Sequence, residues 1–142
     1  MPELDEVDKL IIKMLQEDAR RPYKEIARKA GVSDATVFVR IKKLLETGIL
    51  KGFRATVDHA LVGVGTTAFV LIKADPRKFT TALEELMNIK EIYEIYDVTG
   101  AYYGIVKVRT ADTEGLAKVI DRIGKIEGIM GTETAVVLKT VK

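Results

Sequence analysis

The sequence predicts an α+β protein in which a helical N-terminal part is followed by a β-α-β-β-α-β part. Apolar side chains recur at helical spacing through residues 1–50, whereas residues 65–142 combine apolar strand-like runs with two further amphipathic helices. A glycine-containing stretch, residues 51–64, separates the two parts. We therefore divide the 142-residue chain into these three segments.

Three helices are predicted in the N-terminal part. The first has Asp5 as its N-cap and Asp8 at its third position, and its apolar stripe consists of Val7, Leu10, Ile11, Met14 and Leu15. The second helix, 23–30, is preceded by a proline and ends at Gly31. The third begins after the N-cap Ser33 and is expected to bury Val37, Ile41, Leu44 and Leu45.

The second and third helices meet across Ala30-Gly31-Val32-Ser33. A small residue, a glycine, an apolar residue and a capping residue between two helices are typical of a helix-turn-helix. In that motif the second of the two helices enters the major groove of DNA.

The charge of the chain is unevenly distributed. Its 23 Lys and Arg residues against 21 Asp and Glu residues give a formal net charge of only +2. Residues 1–19 carry −4, residues 20–54 carry +7 and residues 55–142 carry −1. The basic block coincides with the helix-turn-helix, which predicts a surface that faces phosphates; a solvated helix face is the alternative.

The outward side of the third helix supplies the candidate DNA contacts. Phe38 and Val39 face outward in this assignment, and large exposed apolar side chains usually mark an interface. They are candidates for contacts with thymine methyl groups, a wider buried stripe or a protein–protein contact being the alternative. Arg40 is expected to bind a phosphate or a guanine edge. The predicted DNA-binding residues are Arg21, Ser33, Asp34, Ala35, Thr36, Phe38, Val39, Arg40, Lys42, Lys43, Lys51 and Arg54.

A β-rich segment, residues 49–58, follows the third helix and contains Gly52. It predicts a short wing strand or a strand that leaves the helical part, and Lys51 and Arg54 would place basic charge beside the recognition helix. The N-terminal part is thus a predicted winged helix-turn-helix whose partner is double-stranded DNA.

The C-terminal part has the element order of the ferredoxin-like split βαβ fold. Strands are predicted over 67–74, 91–99, 102–109 and 134–141, with helices after Asp75-Pro76 and Asp112, the first of which is expected to bury Phe79, Leu83, Leu86 and Met87. Two helices cover only one face of a four-stranded sheet, yet apolar residues such as Phe69 and Leu71 point to the other face. An uncovered apolar face implies a partner, and the simplest is a two-fold homodimer stacked sheet on sheet.

Composition excludes several classes of site. The absence of Cys excludes disulfides, thiolate metal ligands and cysteine nucleophiles, and the single histidine, His59, lies at the joint between the two parts. No apolar run reaches the roughly 20 residues of a membrane span, and the N-terminus is acidic rather than signal-like. We expect a cytoplasmic protein that is not an enzyme, with no catalytic residue, metal or cofactor.

Several motifs together resemble the Lrp/AsnC (feast/famine) family of transcriptional regulators. They are Arg20-Arg21-Pro22-Tyr23-Lys24-Glu25-Ile26-Ala27, Gly31-Val32-Ser33, Thr36-Val37, Arg40-Ile41-Lys42-Lys43-Leu44, Gly48-Ile49-Leu50, Val98-Thr99-Gly100 and Ile126-Glu127-Gly128. The resemblance implies that residues 65–142 form an effector-binding and oligomerisation domain, that dimers assemble to tetramers or octamers, and that amino acids are the effectors. Few side-chain amides and 31% charged residues further indicate an archaeal or thermophilic origin.

The resemblance also implies an effector site between neighbouring dimers, at the glycine turn after the second strand. Carried over by motif, the effector-binding residues are Thr99, Gly100, Ala101, Tyr102 and Tyr103 of the turn and Thr132, Glu133 and Thr134 of the facing wall. Many members have an acidic residue at the position of Tyr103, where it holds the effector's amino group; here Glu133 is the candidate for that charge. A winged-helix protein-interaction module and a tetrapyrrole decarboxylase-like enzyme are the alternative functions.

Overall fold

The computed structural model describes residues 3–142 and divides the chain into two compact units, the first ending at Thr56 and the second spanning Val57–Lys142. Met1 and Pro2, with which the first predicted domain begins, lie outside the described residues. The boundary between the units falls inside the predicted linker, residues 51–64. Within the described range, no helix is long and apolar enough to cross a membrane.

The N-terminal unit consists of three helices, α1 (Glu6–Glu17), α2 (Tyr23–Ala30) and α3 (Asp34–Glu46). Their apolar sides enclose one core, made of Ile11, Met14, Leu15, Ile26, Ala27, Val37, Ile41 and Leu44. The prediction that Leu45 belongs to this core is wrong, because its side chain is 39% exposed. It follows Leu44 by about 100° around the helix and therefore lies at the rim of the buried stripe.

The caps and the turn of the helix-turn-helix follow the sequence signals. Asp5 accepts the N–H of Asp8, and the side chain of Asp8 accepts the N–H of Asp5, so the start of α1 has a reciprocal capping box. Gly31 ends α2 with φ of 70°, the left-handed conformation that glycine adopts at low cost. Val32 donates its N–H to the carbonyl of Ala27 at 3.0 Å, which closes the turn. These local predictions are confirmed.

The structure has no strand where the sequence predicts a wing strand. Leu50 donates to the carbonyl of Leu44 at 3.0 Å, which holds the chain against the end of α3. From Lys51 to Asp58 every residue is exposed and none is in a strand. A strand needs a ladder partner, and the described part of the N-terminal unit contains only helices.

The C-terminal unit is a four-stranded antiparallel sheet with two helices. Its elements are β1 (Thr66–Ala74), α4 (Phe79–Met87), β2 (Ile92–Asp97), β3 (Gly104–Thr110), α5 (Thr113–Gly124) and β4 (Ile129–Val136). The strand order β2-β3-β1-β4 is that of the predicted ferredoxin-like fold.

Both helices pack against one face of the sheet. The core between them consists of Ala68, Val70, Ile72, Ala74, Phe79, Ala82, Leu86, Ile89, Val106, Val108, Leu116, Val119, Ile123 and Ile126. Phe69, Leu71 and Ile105 point to the opposite face and are half-buried. On that open face Lys107 also forms an ion pair with Glu94 at 3.7 Å. The predicted second face therefore exists, with charged residues around its apolar centre.

The last strand lies earlier in the chain than predicted. It spans Ile129–Val136 rather than 134–141. Gly128, with φ of 95°, turns the chain directly after α5, and its carbonyl accepts the N–H of Asp75 at 2.7 Å. This bond anchors the turn beside the end of β1, so pairing begins there. Beyond the strand, Leu138 is 97% exposed.

The helix α4 is shorter than its sequence pattern indicates. Asp75 accepts the N–H of Arg77 through its side chain at 2.9 Å and the N–H of Lys78 through its carbonyl at 3.0 Å. These bonds form a turn, so the helix begins only at Phe79. The prediction that Met87 is buried is wrong, because it is the last residue of α4 and is 67% exposed.

Candidate nucleic-acid interface and effector site

The first turn of α3 is capped by Ser33 and otherwise open. The Ser33 Oγ accepts the N–H of Thr36 at 3.1 Å and lies 2.9 Å from the hydroxyl oxygen of Thr36. Asp34 and Ala35 in the same turn are exposed. The end of the helix that carries the positive dipole thus faces outward, as a helix that approaches DNA requires.

Two large apolar side chains stand outward from the middle of α3. Phe38 is 57% exposed and Val39 is 60% exposed, while the preceding Val37 is fully buried. The ring of Tyr23, at the start of α2, lies 6.4 Å from the Phe38 ring, centre to centre. The predicted exposure of Phe38 and Val39 is confirmed, and the alternative that they widen the buried stripe is wrong.

Exposed basic residues follow these apolar side chains along the sequence. Lys42 and Lys43 are exposed in the second half of α3, and Lys51 and Arg54 are exposed in the segment that follows. None of the four forms an ion pair with any side chain of residues 3–142. Their charges are available to phosphates.

Arg40 is held by carboxylates of its own domain. Its Nη1 donates to Asp5 Oδ2 at 2.6 Å and to Asp8 Oδ1 at 3.1 Å. The N–H of Asp8 and then the Arg40 guanidinium hold the pKa of Asp5 to about 2, and the two carboxylates raise the pKa of Arg40. The contact of Arg40 with a phosphate or a guanine edge stays a prediction, and the structure shows its Nη1 already bonded to Asp5 and Asp8.

Arg21 is also paired within the domain. Its Nη2 lies 3.6 Å from Glu17 Oε2 and its Nη1 lies 3.5 Å from Glu25 Oε1, with the side chain 24% exposed. It therefore links the end of α1 to α2. Its contact with DNA stays a prediction, and the structure shows its charge already balanced by two acidic side chains.

In the C-terminal unit, the turn before β3 meets the middle of β4 through Tyr102 and Glu133. The Tyr102 hydroxyl donates to Glu133 Oε2, and this bond raises the pKa of Tyr102. The Nζ of Lys73 lies 5.5 Å from the centre of the Tyr102 ring. A carboxylate, a hydroxyl and an ammonium group thus lie at the same end of the sheet.

The three predicted wall residues do not share a face. Glu133 pairs with Leu71 and points to the open face of the sheet. Thr132 pairs with Ile72 and Thr134 pairs with Val70, so both point to the helix-covered face. The predicted wall therefore divides, because successive strand residues alternate between the two faces.

The turn itself is exposed at its tip and packed at its end. Gly100 has φ of 112°, a conformation that glycine tolerates, and Thr99, Gly100 and Ala101 are exposed. The Tyr103 ring packs edge-on against Phe79 at 5.6 Å, and the Tyr103 N–H donates to the carbonyl of Ile72 at 2.9 Å. Tyr103 thus fixes the turn to the sheet and to α4.

Both units match known domain families. Residues 4–45 match the AsnC-type helix-turn-helix domain and residues 67–142 match the Lrp/AsnC ligand binding domain. The chain belongs to the Lrp/AsnC family. It is a DNA-binding transcriptional regulator with a ligand-binding domain.

Relatives of this Lrp/AsnC chain match along its whole length. The HTH-type transcriptional regulator FL11 of Pyrococcus horikoshii is 42% identical over 139 residues, which are 98% of this chain and 92% of that protein. Escherichia coli AsnC superposes with a TM-score of 0.88 at 32% identity, covering 99% of this chain and 95% of that one. A Neisseria meningitidis regulator solved with L-Met has the same fold, with a TM-score of 0.85 at 22% identity and coverage of 99% and 93%.

Three residues outside the predicted sites, Asp5, Asp8 and Lys73, contact predicted site residues in the structure. Asp5 and Asp8 are predicted only as caps, although they also hold Arg40, which lies 35 and 32 residues away. No local pattern signals a pair at such a separation. Lys73 could have been found, because strand alternation places it on the same face as Phe69 and Leu71.

Proposed function

We propose that this regulator binds double-stranded DNA through α3 and the segment that follows it. In this proposal Lys42, Lys43, Lys51 and Arg54 contact phosphates. The observation that carries the assignment is an exposed apolar pair, Phe38 and Val39, beside Lys42 and Lys43, which form no ion pair with a side chain of residues 3–142. Phosphate contacts fix the register of a helix on DNA, and contacts with base edges supply its sequence preference.

The salt dependence of binding tests the phosphate contacts. A duplex selected in vitro from random sequences is titrated with full-length protein from about 50 to about 400 mM salt, and each phosphate contact contributes about 0.9 to the slope of log K against log salt. Lys42→Ala is expected to reduce that slope by about 0.9. Lys139→Ala, in the exposed C-terminal tail, is the matched control and keeps the wild-type slope. A flat salt dependence would favour a protein-interaction role for α3 instead.

The regulator acts as a homodimer joined through the open face of its sheet. Phe69, Leu71 and Ile105 lie half-buried on a face that neither α4 nor α5 covers. Closing that face by two-fold symmetry removes the apolar patch and gives each dimer two α3 helices for two half-sites. Such dimers would then assemble to tetramers or octamers.

Light scattering after size exclusion tests the dimer. Phe69→Glu is expected to yield monomers, because it places a charge in the centre of the interface. Leu138→Glu adds the same charge at a position that is 97% exposed and outside the sheet, and it is expected to leave the mass unchanged. Equal masses for wild type and both variants would contradict the assignment of this face.

The effector is an amino acid bound near Tyr102 and Glu133. An amino acid carries an ammonium and a carboxylate, and this end of the sheet offers Glu133 for the former and Lys73 for the latter. The Tyr102 hydroxyl donates to the Glu133 carboxylate in the structure. On binding, the ammonium group of the amino acid would displace this hydroxyl or share the carboxylate with it. The predicted effector residues Thr99, Gly100, Ala101 and Tyr103 would act from the turn, whereas Thr132 and Thr134 lie on the face opposite to Glu133 and would support β4 from there.

Calorimetry with the twenty amino acids, L-Met included, tests this site. Glu133→Gln is expected to weaken the best ligand about tenfold, since it removes a charge-assisted hydrogen bond. Glu84→Gln, on the exposed surface of α4, is the matched control. Absence of heat with every amino acid would remove the effector proposal and leave the DNA-binding function intact.

Effector binding would act by shifting assembly. A ligand shifts an equilibrium between assemblies only when it binds them with different affinities. A site that is completed between neighbouring dimers has that property, because the dissociated dimer offers only part of it. Sedimentation velocity with and without the best ligand is expected to show a change in the proportions of dimer, tetramer and octamer.

A further inference from the structure

The outward side of α3 presents an apolar stripe. Ala35, Phe38 and Val39 form it, Lys42 follows on the same side of the helix, and all four are exposed. The three apolar members precede the lysine and occupy the N-terminal half of the helix, which is the half that contacts base edges in helix-turn-helix proteins. The stripe on the part of α3 best placed to read bases is therefore apolar, and the polar Asp34 and Thr36 lie in the first turn.

Among residues 34–40 of α3, Arg40 is the one side chain able to read a purine edge through two hydrogen bonds, and the Thr36 hydroxyl lies 2.9 Å from the Ser33 Oγ. Guanine is usually read by Arg or Lys and adenine by Asn or Gln, each through two hydrogen bonds. The α3 sequence contains no Asn and no Gln, and its single arginine, Arg40, is bonded to Asp5 and Asp8. Thymine differs from the other bases in the major groove by a methyl group, which apolar side chains recognise.

The charges along this part of the chain favour DNA over an apolar protein surface as the occupant. Residues 20–54 carry a net charge of +7, and Lys42 and Lys43 follow the apolar stripe on the same helix. A polyanion with methyl groups in its groove matches an apolar stripe flanked by lysines. The Tyr23 ring, 6.4 Å from the Phe38 ring, lies against the stripe and supports the outward position of Phe38.

From this geometry we infer that Phe38 and Val39 determine base specificity by contacting thymine 5-methyl groups in the major groove. The inference rests on the proposed contact of α3 with DNA. It assigns the principal sequence preference of each half-site to the methyl group of A·T pairs rather than to hydrogen bonds from an arginine.

Replacement of thymine by deoxyuridine tests the inference, since the two bases differ only in that methyl group. In the selected duplex each thymine is exchanged in turn, and affinity is measured by fluorescence anisotropy with the full-length protein. At one or two positions per half-site the exchange is expected to weaken binding about fourfold, the effect of one buried methyl group. At the remaining positions affinity is expected to be unchanged.

Variants assign the effect to the two residues. Phe38→Ala and Val39→Ala are each expected to abolish the preference for thymine at the base that the replaced side chain contacts. At that base, the variant would bind the duplex with thymine and the duplex with deoxyuridine equally well. Lys42→Ala is the matched control, because it weakens both duplexes equally and keeps the thymine preference. All three side chains are exposed, and thermal unfolding of each variant verifies that the fold is retained.

The outcomes separate this inference from the proposed function. Specific DNA binding with no penalty for deoxyuridine at any position would overturn the methyl reading and leave the DNA contact standing. A deoxyuridine penalty that persists in both alanine variants, or a selected site without thymine, would overturn the assignment to Phe38 and Val39. Failure of the selection to yield any preferred duplex would instead overturn the proposed α3 contact.

Discussion

The guanidinium of Arg40 on α3 is bonded to Asp5 at the start of α1, with Nη1 and Oδ2 2.6 Å apart. The same nitrogen lies 3.1 Å from Asp8 Oδ1, and these two aspartates also cap α1 reciprocally. One arginine therefore joins the first turn of α1 to the middle of the helix proposed to read DNA. We therefore assign Arg40 the role of a positioning residue, which holds α3 in its orientation. A variant that lacks Arg40 tests this orientation without removing a phosphate contact.

Arg40→Ala is expected to lower the unfolding midpoint and to weaken DNA binding without changing the salt slope. The slope counts neutralised phosphates, and Arg40 contacts aspartates instead. Lys42→Ala is expected to behave in the opposite way, with a smaller slope and an unchanged midpoint. Arg40→Lys is expected to restore part of the stability. A reduced salt slope in Arg40→Ala would show that the guanidinium leaves Asp5 and binds a phosphate.

The Asp5 carboxylate is expected to make stability depend on acid pH. The N–H of Asp8 and the Arg40 guanidinium lower the pKa of Asp5 from 3.8 to about 2 in the folded protein. A lowered pKa contributes stability that is fully present above 3.8 and is lost as pH falls through about 2. The difference in urea midpoint between wild type and Asp5→Asn is therefore expected to shrink across that range.

The matching background for this measurement is Arg40→Ala. In the Arg40→Ala background, the difference in urea midpoint caused by Asp5→Asn is expected to shrink less as the pH falls. It is still expected to shrink, because the N–H of Asp8 still stabilises the Asp5 carboxylate. A midpoint difference between wild type and Asp5→Asn that stays constant from neutral pH to pH about 2 would contradict the role of Asp5.

Gly31 is expected to be required for its backbone conformation alone. Its φ is 70°, and an added Cβ would meet no atom within 4 Å. Gly31→Ala is expected to lower the free energy of unfolding by about 1 kcal/mol, the cost of a left-handed conformation for an L-residue. Gly124→Ala is the matched control: its Cβ would also meet open space, at a residue without positive φ. It is expected to stabilise by about 0.5 kcal/mol, and equal effects at both sites would disprove the argument.

Tyr103 is expected to act on assembly and effector response and not on DNA contact. Its ring packs against Phe79, so Tyr103→Ala would loosen the turn that precedes β3. Tyr103→Phe keeps the ring contact and is expected to behave as wild type in effector calorimetry and sedimentation. The DNA affinity of the dimer is expected to be unchanged in both variants. An effect of Tyr103→Phe as large as that of Tyr103→Ala would assign the role to the hydroxyl.

Local signals in the sequence were sufficient for the helices and for the exposed apolar pair on α3. Capping by Asp5 and Ser33, the left-handed Gly31 and the exposure of Phe38 and Val39 depend on neighbours within one or two helical turns. Such interactions are encoded by residues three or four positions apart, which a sequence pattern displays directly. The strand order followed from the alternation of strands and helices.

The ends of the strands were harder to predict from the sequence, because they depend on which other strand is present to pair with. The last strand begins at Ile129 since the carbonyl of Gly128 meets Asp75 across the fold. The wing strand is missing because no other strand of that unit is present to pair with it among the described residues. Apolar and β-branched residues fit either a strand or an exposed segment, so composition did not separate the two.

By itself, then, the sequence determined the two-part α+β architecture, the helix-turn-helix, the basic block and the apolar pair on α3. Each of these features depends on the spacing of residues that are close to one another in the chain. Only the tertiary structure decided that Arg40 is bonded to Asp5 and Asp8, and that β4 begins at Ile129, so that Thr132, Glu133 and Thr134 alternate between the faces of a strand. A basic residue on an outward helix looks the same in sequence whether it is free or paired. Partners more than thirty residues away are chosen by how the helices pack, and that packing is a property of the folded chain.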